Sequence, residues 1–237
     1  MLVSAAISPH PPLLIPELAG SAAEQLDDLR AACAAAIEAV RATEPELLVV
    51  VGAGEATQRY GPGAAGSFTA YGVDLPVSLP GGTDLPQDDG LPLSLAVGAW
   101  LLARSGWAGD VPAQAVSEAS PPEECRRLGS RLAQETDRLG LLVMGDGSAA
   151  RPTAAPAFVD NRAEGFDAAV ADALRTADPA ALMALDPVLA MELRAAGRAP
   201  WQVLAGAASE AVFDADLLYD DAPFGVGYLV AVWERHG

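Results

Sequence analysis

Four short stretches carry the side chains that could do chemistry. His10 stands between Pro9 and Pro11, with Pro12 following, directly after an apolar run that closes at Ile7. Proline rings restrict the backbone on both sides of that imidazole. A histidine fixed in this way suits acid/base work or metal ligation, because its ordinary titration range straddles neutral pH. Asp146 and Ser148 lie in the turn Gly145-Asp-Gly-Ser148, after the apolar run Leu141 to Met144. Glu55 follows Gly52-Ala-Gly54 at the end of Leu47 to Val51. Asp220 and Asp221 open the turn that continues Ala-Pro-Phe-Gly225. His10, Asp146 and Ser148 are the candidate catalytic side chains; His10, Asp221 and Glu55 are the candidate metal ligands. Ser148 makes a poor nucleophile, since Gly-Asp-Gly-Ser is not a nucleophile elbow and no histidine is adjacent to it.

The elements that must position these groups alternate between strand and helix. Leu2 to Ile7 and Glu46 to Val51 read as strands, the second apolar throughout after its first residue, as a strand covered on both faces should be. Between them Leu26, Leu29, Cys33, Ile37 and Val40 form one helical stripe, and Ser21-Ala-Ala-Glu24 reads as its capping box. Gly52 to Asp89 reads as irregular, with short strands at Ser67 to Tyr71 and Val77 to Leu79. Further helices are expected over Pro92 to Ala103, after a cap at Ser120, over Asn161 to Arg198 with breaks at Asp178-Pro179, Asp186-Pro187 and Gly197, and over Pro200 to Ala208. Val111 to Val116, Leu141 to Met144, Leu217 to Tyr219 and Gly227 to Trp233 read as strands. Asp160, Asn161 and Arg162 read as a helix cap with a salt bridge; Trp201 and Trp233 read as core or interface, and His236 as surface. With no internal repeat or linker in sight, residues 1–237 are expected to form one α/β domain. Its mainly parallel central sheet carries helices on both faces, and ligands of such sheets bind outside the carboxyl ends of the strands.

Composition narrows the chemistry. The chain has 32 acidic and 14 basic residues, a formal charge of −18. That field disfavours nucleic acid and anionic membrane surfaces. Every basic residue is arginine, which excludes a lysine Schiff base, a Walker lysine and a lysine base. Val-Val-Gly-Ala-Gly54 begins like a dinucleotide-binding turn, but Thr57 stands where a third glycine is needed. Cys33 and Cys125 are the only cysteines and share no CxxC spacing, so they read as core residues of a cytoplasmic protein. No apolar run approaches the roughly 20 residues of a membrane span, and no targeting segment is recognisable at the start.

The chain resembles class III extradiol ring-cleavage dioxygenases of the subunit-B type and their Memo-like relatives. The resemblance rests on Ser8-Pro-His-Pro-Pro-Leu-Leu-Ile-Pro-Glu17 after a first strand and on Gly145-Asp-Gly-Ser148 through Asp160-Asn-Arg-Ala-Glu-Gly-Phe-Asp167. It is completed by Asp221-Ala-Pro-Phe-Gly-Val-Gly-Tyr228. It implies a non-haem Fe(II) held by two histidines and a glutamate, leaving open positions for a catechol and O2. His10 matches the first ligand. Gly54 stands where the second histidine is expected, Ala149 where the acid/base histidine is expected, and Asp221 where the glutamate is expected.

Three readings follow. In the first, iron-dependent ring cleavage is lost and a pocket for a small aromatic or other small molecule, or a partner, remains; a scaffold protein is a variant of it. In the second, a weakly bound divalent metal sits on a rebuilt site of His10 and Asp221 with Glu55 or Asp146, serving an oxidoreductase or hydrolase. In the third, His10 pairs with Asp146 or Asp221 as a metal-free acid/base unit. The resemblance also implies a homodimer or larger assembly, and an acidic monomer is equally consistent with the composition.

Overall fold

The computed structural model describes residues 1–82, 90–155, 158–208 and 211–236. The part of the expected irregular stretch at 83–89 lies outside them. The strands are β1 (Leu2–Ser8), β2 (Leu47–Gly54), β3 (Gln58–Tyr60), β4 (Ala65–Ser67), β5 (Pro76–Ser78), β6 (Ala113–Ser117), β7 (Leu139–Met144), β8 (Phe213–Asp221) and β9 (Tyr228–Arg235). The helices are α1 (Pro16–Ala19), α2 (Asp27–Ala42), α3 (Leu93–Ser105), α4 (Pro122–Leu132), α5 (Ala163–Arg175), α6 (Pro179–Met183), α7 (Pro187–Glu192) and α8 (Arg198–Ala208).

Among the described residues seven strands form one sheet in the order β3-β6-β2-β7-β1-β9-β8, and β4 pairs with β5 in a small second sheet. The four inner strands β6, β2, β7 and β1 run parallel. β3, β9 and β8 each join antiparallel to the neighbour inward of them. This is the expected α/β architecture, with antiparallel margins added to a parallel centre.

The pleat of the inner strands explains both hydrophobic layers. On β7, Leu139, Leu141 and Val143 face a core completed by α4, α5 and α8, while Leu142 and Met144 face the core under α2 and α3. β2 alternates in the same way, with Val49 and Val51 on the first side and Leu48 and Val50 on the second. A strand buried on both faces needs a continuous apolar run, which is what Leu47 to Val51 supplies. Cys33 and Cys125 are free, buried and assigned to opposite layers. Trp201 and Trp233 are fully buried in the first layer.

Two expected caps are corrected. Ser21 to Glu24 falls inside a tight turn of 3-10 helix spanning Gly20–Leu26, and α2 begins only at Asp27, so the serine caps nothing. Ser120 gives no side-chain cap to α4, whose first turn follows Pro121. Asp178 and Asp186, by contrast, cap α6 and α7 by accepting two backbone N–H bonds each. Of the two short strands expected near Ser67 and Val77, the first ends at Ser67, since Thr69–Tyr71 forms a 3-10 turn. The edge strand β3 forms within the stretch expected to be irregular. Among the described residues no helix is long and apolar enough to cross a membrane.

Candidate functional site

Parallel register brings His10 and Asp146 together. Ser8 of β1 sits opposite Met144 of β7. Two residues further along each strand, the chain leaves the sheet on the same side, and these two residues emerge as neighbours. The turn is tied down by Gly145 N–H donating to the Ser8 carbonyl at 2.9 Å and by Gly197 N–H donating to the Asp146 carbonyl at 2.8 Å. The Asp146 carboxylate accepts the His10 backbone N–H at 2.7 Å. Its Oδ1 lies 3.6 Å from His10 Nδ1, which is too long for a direct hydrogen bond.

His10 is 6% exposed, and its Nδ1 is buried without a hydrogen-bond partner. Burial pushes the Asp146 carboxyl above its usual range, opposed by the neighbouring imidazole and by the His10 N–H. Burial pushes the Tyr228 phenol up and the Cys33 thiol up to about 12; Asp146 adds to both, and a hydrogen bond with Ser8 opposes the rise at the thiol. Cys33 and Tyr228 are thus buried polar groups coupled to Asp146, with Ser8 beside the thiol. The Cys33 thiol is protonated there and unreactive.

A cleft of 540 Å³ opens beside His10 at the carboxyl ends of the parallel strands. His10, Gly54 and Glu55 line it from β1 and β2, Ala115 and Glu118 from β6, Gln58 and Tyr60 from β3, and Pro92, Leu93 and Ser94 from the start of α3. Ser94 donates to the Ala53 carbonyl at 2.6 Å and so fixes the wall. A side-chain carbon on Gly54 would press on Ala115 Cβ at 3.2 Å, so glycine leaves the wall open there. Glu118 N–H donates to the Gly54 carbonyl at 3.4 Å, which sets the turn carrying Glu118 beside the one carrying Glu55. Buried Arg198 holds the Glu118 turn from behind, donating to the carbonyls of Glu118 and Ser120 and to Gln202.

Of the residues singled out from sequence, the cleft unites His10 and Glu55, with Asp146 against His10. Ser148 is elsewhere. It is fully buried, its N–H and Oγ–H both donate to the Asp167 carboxylate at 2.7 Å, and Arg151 joins Asp167 at 3.3 Å. A hydroxyl committed to a buried carboxylate is a structural tie. Asp221 is exposed at the end of β8 and accepts the N–H of its own successor, Ala222, at 2.7 Å. Half-buried Ala149 is tied to α7 through Leu193 and Arg194 and does not line the cleft.

The residues present do not fit a facial triad. With neighbouring strands about 4.8 Å apart, β2 and β8 are separated by roughly 19 Å, so Glu55 and Asp221 belong to opposite parts of the sheet. Among the described residues no three or more His, Cys, Asp or Glu side chains gather to hold a metal ion. The ligand set of His10, Asp221 and Glu55 is therefore not assembled.

Sequence reasoning missed Glu118, Asp167, Tyr228 and Arg198. Glu118 sits one residue beyond β6, the same strand-end position that singled out Glu55, and that signal was available. Asp160 and Arg162 form the expected ion pair, with Glu192 as a further partner of the arginine, but the expected cap is corrected: Asp160 accepts the Arg162 N–H one residue before α5, and no side chain caps that helix. His236 lies at the surface against Asp214.

No family model matches the sequence, and no curated protein matches it. Among solved structures, the crystal structure of the uncharacterized protein JW3007 from Escherichia coli K12 is similar. The likeness covers 98% of this chain and 99% of that one, with a TM-score of 0.53 at 13% identity. At that identity the likeness shows a shared fold along the whole chain.

Proposed function

We propose that this chain is an extradiol-dioxygenase-like protein without iron-dependent ring cleavage, whose cleft binds a small molecule beside His10. One observation carries the reading. The cleft at the strand ends is open and lined by polar and apolar groups, yet the side chains that would hold iron are dispersed across the sheet. His10 is the one residue matching an iron ligand that faces the cleft; Gly54 lines it without a donor atom. The protein is read as cytoplasmic, consistent with its two free, buried thiols.

The His10–Asp146 pair supports a second reading, metal-free acid/base chemistry in the same cleft. A carboxylate beside Nδ1 favours the tautomer that carries the proton there and leaves Nε2 as an acceptor.

The test combines Fe(II) titration under nitrogen, oxygen uptake with catechol, and a fragment screen by amide chemical shifts of the labelled protein. The expected result is no stoichiometric Fe(II), no oxygen uptake, and fragment shifts confined to residues around His10 and Glu55. Stoichiometric Fe(II) with catechol-dependent oxygen uptake would overturn the reading, as would fragments that never reach the cleft.

A further inference from the structure

We infer that the cleft selects a small organic cation with N–H donors, an ammonium or amidinium head on an apolar body. This deepens the binding reading above and rests on it.

Glu55 and Glu118 bring two carboxylates to adjoining turns, set by the Glu118 N–H to Gly54 carbonyl bond. No arginine lines the cleft among the described residues. The arginines on the adjoining elements are engaged elsewhere. Arg59 alternates away from Gln58 and Tyr60 and pairs with Glu135 at 2.9 Å, and Arg198 spends its hydrogen bonds on carbonyl and amide oxygens.

The floor gives the second, independent observation. His10 is more than nine-tenths buried and makes no side-chain hydrogen bond; its Nδ1 is enclosed against Asp146. Its Nε2 is not among the enclosed, unbonded atoms and has no partner among the described residues, so it is the nitrogen the ring leaves toward the cleft. In the neutral tautomer that carries its proton on the Asp146 side, Nε2 presents a lone pair. The two carboxylates on the rim and Nε2 on the floor are acceptors. A head group that donates several N–H bonds and carries positive charge satisfies all of them, while an anion meets two carboxylates and an acceptor nitrogen. Behind the head, Pro92, Leu93, Ala53 and Ala115 offer apolar contact for a hydrocarbon or aromatic body.

The experiment compares 2-phenylethylamine, 2-phenylethanol and phenylacetate by amide chemical-shift titration of the full chain at pH 7 and low salt. The amine is expected to shift the amides of His10, Glu55, Ser94 and Glu118 with an affinity about tenfold above that of the alcohol. The acetate is expected to leave them unmoved. An acidic surface attracts cations everywhere, so the double variant Glu55→Gln/Glu118→Gln decides. Both side chains are exposed and the fold should persist, judged by unchanged shifts far from the cleft. There the amine should fall to the alcohol's affinity. If amine and alcohol bind the cleft equally in the wild type, or if the double variant keeps the preference, the cation inference fails while small-molecule binding stands. If none of the probes moves the cleft amides, both fall.

Discussion

Asp146 and Asp167 make an instructive pair. Both are largely buried at the same end of the sheet, both have carboxyls pushed up by burial, and both touch the segment after β7. Asp167 is saturated: it takes two bonds from Ser148 and one from Arg151. Asp146 accepts a single backbone N–H and faces an imidazole nitrogen that has no partner. Buried polar groups without partners are costly, and they persist where function uses them. The first carboxylate holds the fold and the second is poised beside a cleft. Sequence alone gives both the same appearance.

The largest effect expected from this contrast is at the saturated site. Asp167→Ala strips partners from the Ser148 N–H and hydroxyl and from Arg151. Removing one member of such a buried network costs about 3–5 kcal/mol, measurable by urea unfolding. A loss below about 1 kcal/mol would show that water replaces those bonds and that the contrast with Asp146 is empty.

Next in size is a steric change at the same knot. A side-chain carbon on Gly227 would stand 2.5 Å from Asp167 Oδ2. Gly227→Ala should therefore cost about 1–3 kcal/mol by overpacking, with cleft binding retained. Equal damage to fragment binding would mean that the knot and the cleft are one mechanical unit.

His10→Phe probes the other side. The ring keeps its bulk and loses the orphaned nitrogen, so stability is expected to hold within about 1 kcal/mol or to rise. Binding of 2-phenylethylamine should weaken because the floor acceptor is gone. A destabilisation above about 2 kcal/mol would reveal a structural bond at Nδ1 and make His10 the counterpart of Ser148.

How far the sequence carried this picture follows from what each signal measures. The apolar run Leu47 to Val51 marked β2, and two-sided burial could be read from it because a strand covered on one face would alternate. The Asp-Pro pairs read from sequence as breaks in a helical run, and the structure makes each the start of a new helix, α6 and α7, because aspartate caps and proline fits the first helical turn. Ser21 misled: a capping serine works only if the next turn is α-helical, and here it tightens to 3-10. The position of His10 at a strand end was legible. That Ser148 turns to Asp167 was not, since it depends on α5 packing against the β7 turn, a contact 19 residues away in sequence. Glu55 and Glu118 meet only because β2 and β6 are neighbours, with Gly54 opposite Ser117. Strand order is decided by the crossovers, which composition does not specify.

The smallest effect is the most specific to Asp146. Its carboxyl titrates above the ordinary range in the folded chain because burial disfavours the charge more than His10 and its N–H restore it. Between the unfolded pKa, near 3.8, and the raised folded value, the native state therefore binds more protons than the unfolded state. In that window this residue makes stability fall as pH rises, and above it the loss is complete and constant. Asp146→Asn keeps an oxygen to accept the His10 N–H and cannot ionise. The variant should lose that component of the slope and match or exceed the wild type near neutral pH. Asp167 contributes a slope of the same sign to both proteins, so the difference between their urea-unfolding curves from pH 4 upward isolates Asp146. The opposite outcome, with the variant weaker at neutral pH and the gap closing as pH falls, would mean that an imidazolium at His10 depresses the carboxyl. Asp146 would then be a satisfied ion-pair partner like Asp167, and the distinction between the two carboxylates would collapse.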